Sequence, residues 1–137
     1  MIAPSFLLRK RAEKAIMKKT KKVICMSTDH EFGIMPKDPS ASAVYEDYEP
    51  ELYDCITVDD DIINDMGEQL NTLDIYWHSR KRPEKGLAYW GISLIPPETL
   101  PDFLDVLESQ ELDALSELIS MTQEAIRKQK YLIHFGI

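Results

Sequence analysis

The sequence predicts a single α+β domain, with a mixed or mainly antiparallel sheet, a central β-hairpin, and helices packed mainly on one face. Three observations predict it. The chain has 137 residues, enough to bury one core without disulfides or metals. Residues 73–97, LDIYWHSRKRPEKGLAYWGISLIPP, place two aromatic-rich runs on either side of a charged turn containing Pro83 and Gly86, which reads as a hairpin. Beyond Pro97 the apolar residues change from period two to helical spacing, so strand runs are interleaved with helices, while the hairpin excludes a purely parallel sheet.

The elements follow in chain order. Residues 5–19 carry only a weak apolar helical stripe (Phe6, Leu8, Ala12, Ala15, Ile16). Lys22 to Met26, KVICM, is a short apolar run suited to a buried strand. Residues 27–50 contain Gly33, Pro36, Pro39, Pro50 and the small-residue run SASA, and read as a long irregular connection. Tyr53 to Val58, YDCITV, is β-branched and alternating, hence a strand. VDDDIINDMGEQL is expected to be a helix capped by Asp59, its first-turn acids favoured by the helix dipole and its stripe formed by Ile62, Ile63, Met66 and Leu70. Gly67 weakens it.

In the hairpin, Ser79 opposite Gly86 would set Trp77 against Ala88, Ile75 against Trp90 and Leu73 against Ile92, all on one apolar face. Asp74, Tyr76, His78, Leu87, Tyr89 and Ser93 would then share the other face, with Tyr76 opposed to Tyr89. Thr99 and Asp102 resemble a capping box ahead of Leu100, Phe103, Leu104 and Leu107. Ser109 could cap a second helix carrying Leu112, Leu115, Leu118, Ile119, Ala125 and Ile126, with Arg127, Lys128 and Lys130 at its C-terminal end. YLIHFGI closes the chain as a strand expected to insert into the sheet.

Charge divides the chain at about residue 22. Residues 1–22, read as a basic N-terminal extension or helix, carry eight cations against Glu13 alone, a charge of +7. The net charge of −8 therefore leaves −15 on the acidic α+β domain expected over 23–137. From Asp38 to Ser79 there are twelve acidic residues and no Lys or Arg. Such a surface attracts a cationic partner and repels nucleic acid, whose phosphates require a basic footprint. No segment approaches a membrane span or a secretory leader. The sequence from Met17, MKKTKKVICMST, reads like an ordinary cytosolic start, so residues 1–16 are expected to be an upstream extension or a loosely attached helix. Cys25 and Cys55 lie in apolar runs without CxxC spacing, reading as buried thiols of a reducing, cytoplasmic compartment.

Catalytic and metal motifs are missing from the sequence. There is no HExxH, GxSxG or phosphate loop, and Asp59–Asp60–Asp61 with Asp65 lacks the EF-hand glycine position. No metal or cofactor is expected. His78 with a nearby carboxylate is the one enzyme-like pairing, for a small hydrolase or isomerase. The better site is aromatic and acidic: Tyr45, Glu46, Asp47, Tyr48 and Glu49 within YEDYEPELY, together with Asp74, Tyr76, His78 and Tyr89. Tyrosines supply contact energy, and carboxylates speed encounter with a basic protein.

The strand and acidic helix YDCITVDDDIIND, the hairpin WHSRKRPEKGLAYWGISLIPPETL, the helices LPDFLDVLESQELDALSELI and the closing KYLIHFGI together resemble small acidic immunity proteins of bacterial toxin systems, including contact-dependent inhibition. The resemblance covers about residues 50–137 and is one of size, charge and layout. It implies a non-catalytic inhibitor that binds a cationic cognate toxin, often a nuclease. A DNA-associated regulator acting through the basic arm is the remaining alternative.

Overall fold

A computed structural model describes residues 29–137. Six strands form one antiparallel sheet: β1 (Asp29–Ile34), β2 (Ile56–Asp59), β3 (Asp74–Trp77), β4 (Pro83–Lys85), β5 (Ile92–Ile95) and β6 (Leu132–Phe135), in the order β2-β1-β6-β5-β3-β4. The helices are α1 (Asp60–Asp65), α2 (Gly67–Leu70), α3 (Leu100–Ser109) and α4 (Ser116–Lys128). The α+β expectation holds. The predicted extension 1–22 and the strand Lys22 to Met26 lie outside the described residues.

The closing strand enters between β1 and β5, pairing Phe32 with His134 and Leu94 with Ile133. Its four residues are all buried, as a central strand covered on both faces requires. One face of the sheet, with Phe32, Ile56, Val58, Ile75, Ile95 and Leu132, packs under the helices through Ile63, Leu70, Phe103, Leu107 and Leu118. The other face, with Met35, Leu94, Ile133 and Phe135, packs against Tyr45, Tyr53 and Tyr76. The second cover is therefore the long connection between β1 and β2, which carries one 3-10 turn (Pro50–Leu52) and no α-helix. Gly33 permits it, because a Cβ there would stand 2.7 Å from Tyr53 Cβ and 2.9 Å from Cys55 Sγ.

Several expectations are corrected. Residues 29–34 form a strand rather than loop; its polar residues His30 and Glu31 are buried and satisfied by side-chain partners. The expected helix over 59–70 breaks at Met66 into α1 and α2, although Asp59 does cap it by accepting from the Asp61 N–H at 3.2 Å. Thr99 does not cap α3: its hydroxyl donates to the Asp74 carbonyl at 2.7 Å. Ser109 belongs to the end of α3, and α4 begins only at Ser116.

The hairpin differs most. It lies at the sheet edge rather than its centre, and β3 pairs with two strands: Ile75 faces Glu84, while Tyr76 faces both Pro83 and Leu94. Between Gly86 (φ +83°) and Gly91 the chain leaves the sheet. Trp90 is consequently 79% exposed instead of core, and Trp77 is half-buried with its indole N–H donating to the Gly86 carbonyl at 2.8 Å.

Candidate functional site

One end of the sheet collects the unusual side chains. Strand register places the start of β1, the ends of β2, β3 and β6 and the start of β5 together there. The acidic N-terminus of α1 follows directly from β2, and the Ala88–Gly91 turn leads into β5. The turn is tied to the C-terminus: Gly136 N–H donates to the Gly91 carbonyl at 2.7 Å and Ile137 N–H to that of Tyr89 at 3.1 Å. Gly136 is needed for this approach, because a Cβ would fall 2.0 Å from the Tyr89 carbonyl oxygen.

Beneath the turn runs a polar chain. His30 Nε2 lies 2.8 Å from Asp60 Oδ1, His30 Nδ1 2.8 Å from His134 Nε2, and His134 Nδ1 2.9 Å from Ser93 Oγ. One direction of donation satisfies the run. Carboxylate Asp60 accepts from His30 Nε2–H, His30 Nδ1 from His134 Nε2–H, and His134 Nδ1 from the Ser93 hydroxyl. Ser93 Oγ then accepts from the Ala88 N–H at 2.7 Å. At the outer end the Tyr89 hydroxyl donates to Asp60 at 2.5 Å, and Asn64 donates to Asp60 and to the Tyr89 oxygen.

The sequence of groups resembles an acid–histidine–serine relay. Yet Ser93, His30 and His134 have no exposed surface, so no substrate reaches the hydroxyl. The arrangement fixes the Ala88–Gly91 turn and the start of α1 to the sheet. Asp60 is accordingly shifted down. Burial alone would raise its carboxyl, but the hydrogen bonds from Tyr89 and His30 outweigh burial. Tyr89 is shifted up, first by its bond to Asp60 and then by burial.

On the other face of the same end, residues 44–53 wall a pocket of about 220 Å³. Its lining residues Ile133 and Phe135 are buried and form the floor, the exposed Glu46, Asp47 and Glu49 form the rim, and Val44, Tyr45 and Tyr53 complete the lining. The three rim carboxylates are exposed and pair with no cation among the described residues. Tyr48 stands beside them with its ring edge-on to Phe135 at 5.6 Å, its hydroxyl donating to the buried carboxylate of Glu31. Burial and then Glu31 push Tyr48 ionisation far above the ordinary range; Tyr53 is also raised, by burial first and then by Tyr45 and Glu49.

The remaining predicted residues separate. His78 (φ +64°) joins the loop to the sheet: its Nδ1–H donates to the Tyr45 carbonyl at 2.7 Å, and the Tyr45 N–H returns to the His78 carbonyl at 2.8 Å. Tyr76 packs in the loop-side cluster, whereas Tyr89 reaches Asp60 on the helix side, so the expected Tyr76–Tyr89 pair does not form. Asp74 lies at the edge, exposed, in an ion pair with Lys85 at 2.5 Å. Counting by two could not find Trp90, because the turn that exposes it interrupts the alternation. Among the described residues no helix is long and apolar enough to cross a membrane. No protein family, curated protein or solved structure matches this chain.

Proposed function

We propose that the chain is a non-catalytic binding domain that grips a cationic protein, in the manner of an immunity-type inhibitor neutralising a basic toxin. One observation carries this reading: at a single end of the sheet, an exposed tryptophan and a tyrosine-lined pocket stand among carboxylates that pair with no cation among the described residues. Glu46, Asp47 and Glu49 rim the pocket, Asp59 and Asp61 are exposed at the start of α1, and Trp90 projects from the turn beside it. Uncompensated charge accelerates encounter with a cation, and exposed aromatic rings supply the contact energy once docked. The site is built before any partner arrives, since the loop and turn are hydrogen-bonded to the sheet, so little ordering cost opposes binding.

The hydrolase or isomerase alternative turns on His78. Its ring hydrogen bond goes to a backbone carbonyl rather than a carboxylate, which favours binding over proton transfer.

Affinity capture from the source cells tests the proposal. The wild-type chain is expected to retain a basic protein at low salt and release it near 0.5 M salt, where the screening length falls to about 4 Å. The triple variant Asp47→Ala, Tyr48→Ala, Glu49→Ala is expected to lose it. Equal retention by the variant, or capture of no basic protein, would overturn the reading.

A further inference from the structure

We infer that the pocket beneath residues 44–49 is a receptor for one arginine side chain of the partner protein. The inference rests on the cationic-partner reading and specifies its chemistry. The cavity, about 220 Å³, is of a size to take one long side chain. Its floor is apolar, formed by Ile133 and Phe135, with the Tyr53 ring at the side. Its rim is anionic, formed by Glu46, Asp47 and Glu49. An apolar floor under an anionic rim that meets no cation among the described residues disfavours two occupants. An aliphatic side chain would leave the carboxylates unanswered, and a bare metal ion would gain nothing from the rings.

A basic side chain with a methylene stem answers both layers, because it buries the stem and keeps the charge at the mouth. Arginine answers them better than lysine. Its planar guanidinium stacks on aromatic faces and forks to carboxylates through paired N–H groups, and it sheds water at lower cost than an ammonium. The site is also framed by fixed groups. Tyr45 is held to His78 through both its backbone N–H and its carbonyl, and Tyr48 is held to Glu31. Phe135 is a buried residue of the central strand.

The test uses the chain with blocked single amino acids as probes: N-acetyl-arginine methylamide, its lysine counterpart, and the neutral isostere N-acetyl-citrulline methylamide. Backbone amide shifts are followed by NMR. Arginine is expected to give saturable shifts confined to residues 44–53 and 133–135, with a dissociation constant on the order of millimolar. Lysine is expected to bind several-fold more weakly, and citrulline not to saturate. The variant Asp47→Asn, Glu49→Gln keeps the shape and removes charge at two exposed positions, and is expected to abolish the arginine response while its spectrum stays folded. Equal, scattered shifts for arginine and lysine across all exposed acids would overturn the pocket, as would no saturable response. If the captured basic protein still binds and still depends on Asp47, Tyr48 and Glu49, that failure belongs to the arginine pocket alone. If no basic protein binds either, the parent reading fails with it.

Discussion

His30 Nδ1 lies 2.8 Å from His134 Nε2, with the two rings 5.1 Å apart and 15° from parallel. Only one of the two nitrogens can carry the proton between them, so this contact sets the direction of the whole run from Ser93 to Asp60. A change at either end is therefore felt along it. Ser93→Ala removes the donor to His134 and the acceptor of the Ala88 N–H, and is expected to cost about 1–3 kcal/mol in urea denaturation. Asp60→Asn keeps an acceptor for His30 and Tyr89, so it should cost less than Asp60→Ala. Equal losses for the two Asp60 variants would contradict the directional chain.

The same chain sets acid sensitivity. The Asp60 carboxyl is held below its unfolded value of about 3.9. Its contribution is thus present above that value and is lost as pH falls through the lower folded value. Stability measured from neutral pH down to about pH 2 should decline less steeply for Asp60→Asn than for wild type across the acid range. Parallel profiles would remove Asp60 from the acid transition.

Alkaline titration reads tyrosines on both faces. Tyr48, Tyr53, Tyr89 and Tyr131 are each shifted upward, so their contribution is present below about pH 10 and is lost as pH rises through the higher folded values. Absorbance near 295 nm should therefore show part of the tyrosine set ionising late. Glu31→Gln leaves an acceptor for the Tyr48 hydroxyl but removes the neighbouring charge. It should bring one late tyrosine earlier, and an unchanged titration curve would argue against the Tyr48–Glu31 contact.

The two tryptophans should be separable by fluorescence. Trp77→Phe leaves Trp90, which is expected to emit at long wavelength and be readily quenched by acrylamide, being 79% exposed. Trp90→Phe leaves Trp77, half-buried and hydrogen-bonded to Gly86, which is expected to emit at shorter wavelength. Trp90→Ala should change stability by no more than about 0.5 kcal/mol, yet weaken partner binding by about 2 kcal/mol or more. A large stability loss would return Trp90 to a structural role.

Two glycines separate loop packing from helix formation. Gly33→Ala forces a methyl against Tyr53 and Cys55 and should cost about 1–3 kcal/mol, with faster proteolysis within residues 36–54. Nothing lies within 4 Å of a Cβ at Gly67, so Gly67→Ala should stabilise by about 0.4–1 kcal/mol. Melting temperatures of the two variants should move in opposite directions.

The legible parts of the fold were those where one apolar period runs unbroken. Leu100, Phe103 and Leu107 declared a helix, and YLIHFGI a buried strand, because burial there follows the pattern directly. The β1 strand was not legible, because His30 and Glu31 are buried as polar groups satisfied by partners far along the chain, His134 at a separation of 104 residues. The hairpin register failed for a different reason. Alternation fixes faces only while the chain stays in the sheet, and the departure between Gly86 and Gly91 moved Trp90 from the expected core to the surface. Of the nine site residues expected from sequence, Tyr45, Glu46, Asp47 and Glu49 come together around the pocket, with Tyr48 adjacent. Tyr76, His78, Tyr89 and Asp74 do not share the single face that alternation assigned to them.

The proposed binding surface is open to direct measurement by hydroxyl-radical footprinting of the chain alone and in a 1:1 complex with the basic protein that the proposal expects it to capture. Protection concentrated at Trp90, Tyr45 and Tyr48, with the α3 and α4 surfaces unchanged, is the predicted result. Undiminished oxidation of Trp90 and Tyr45 in a fully formed complex would contradict the assignment of this end of the sheet as the binding surface.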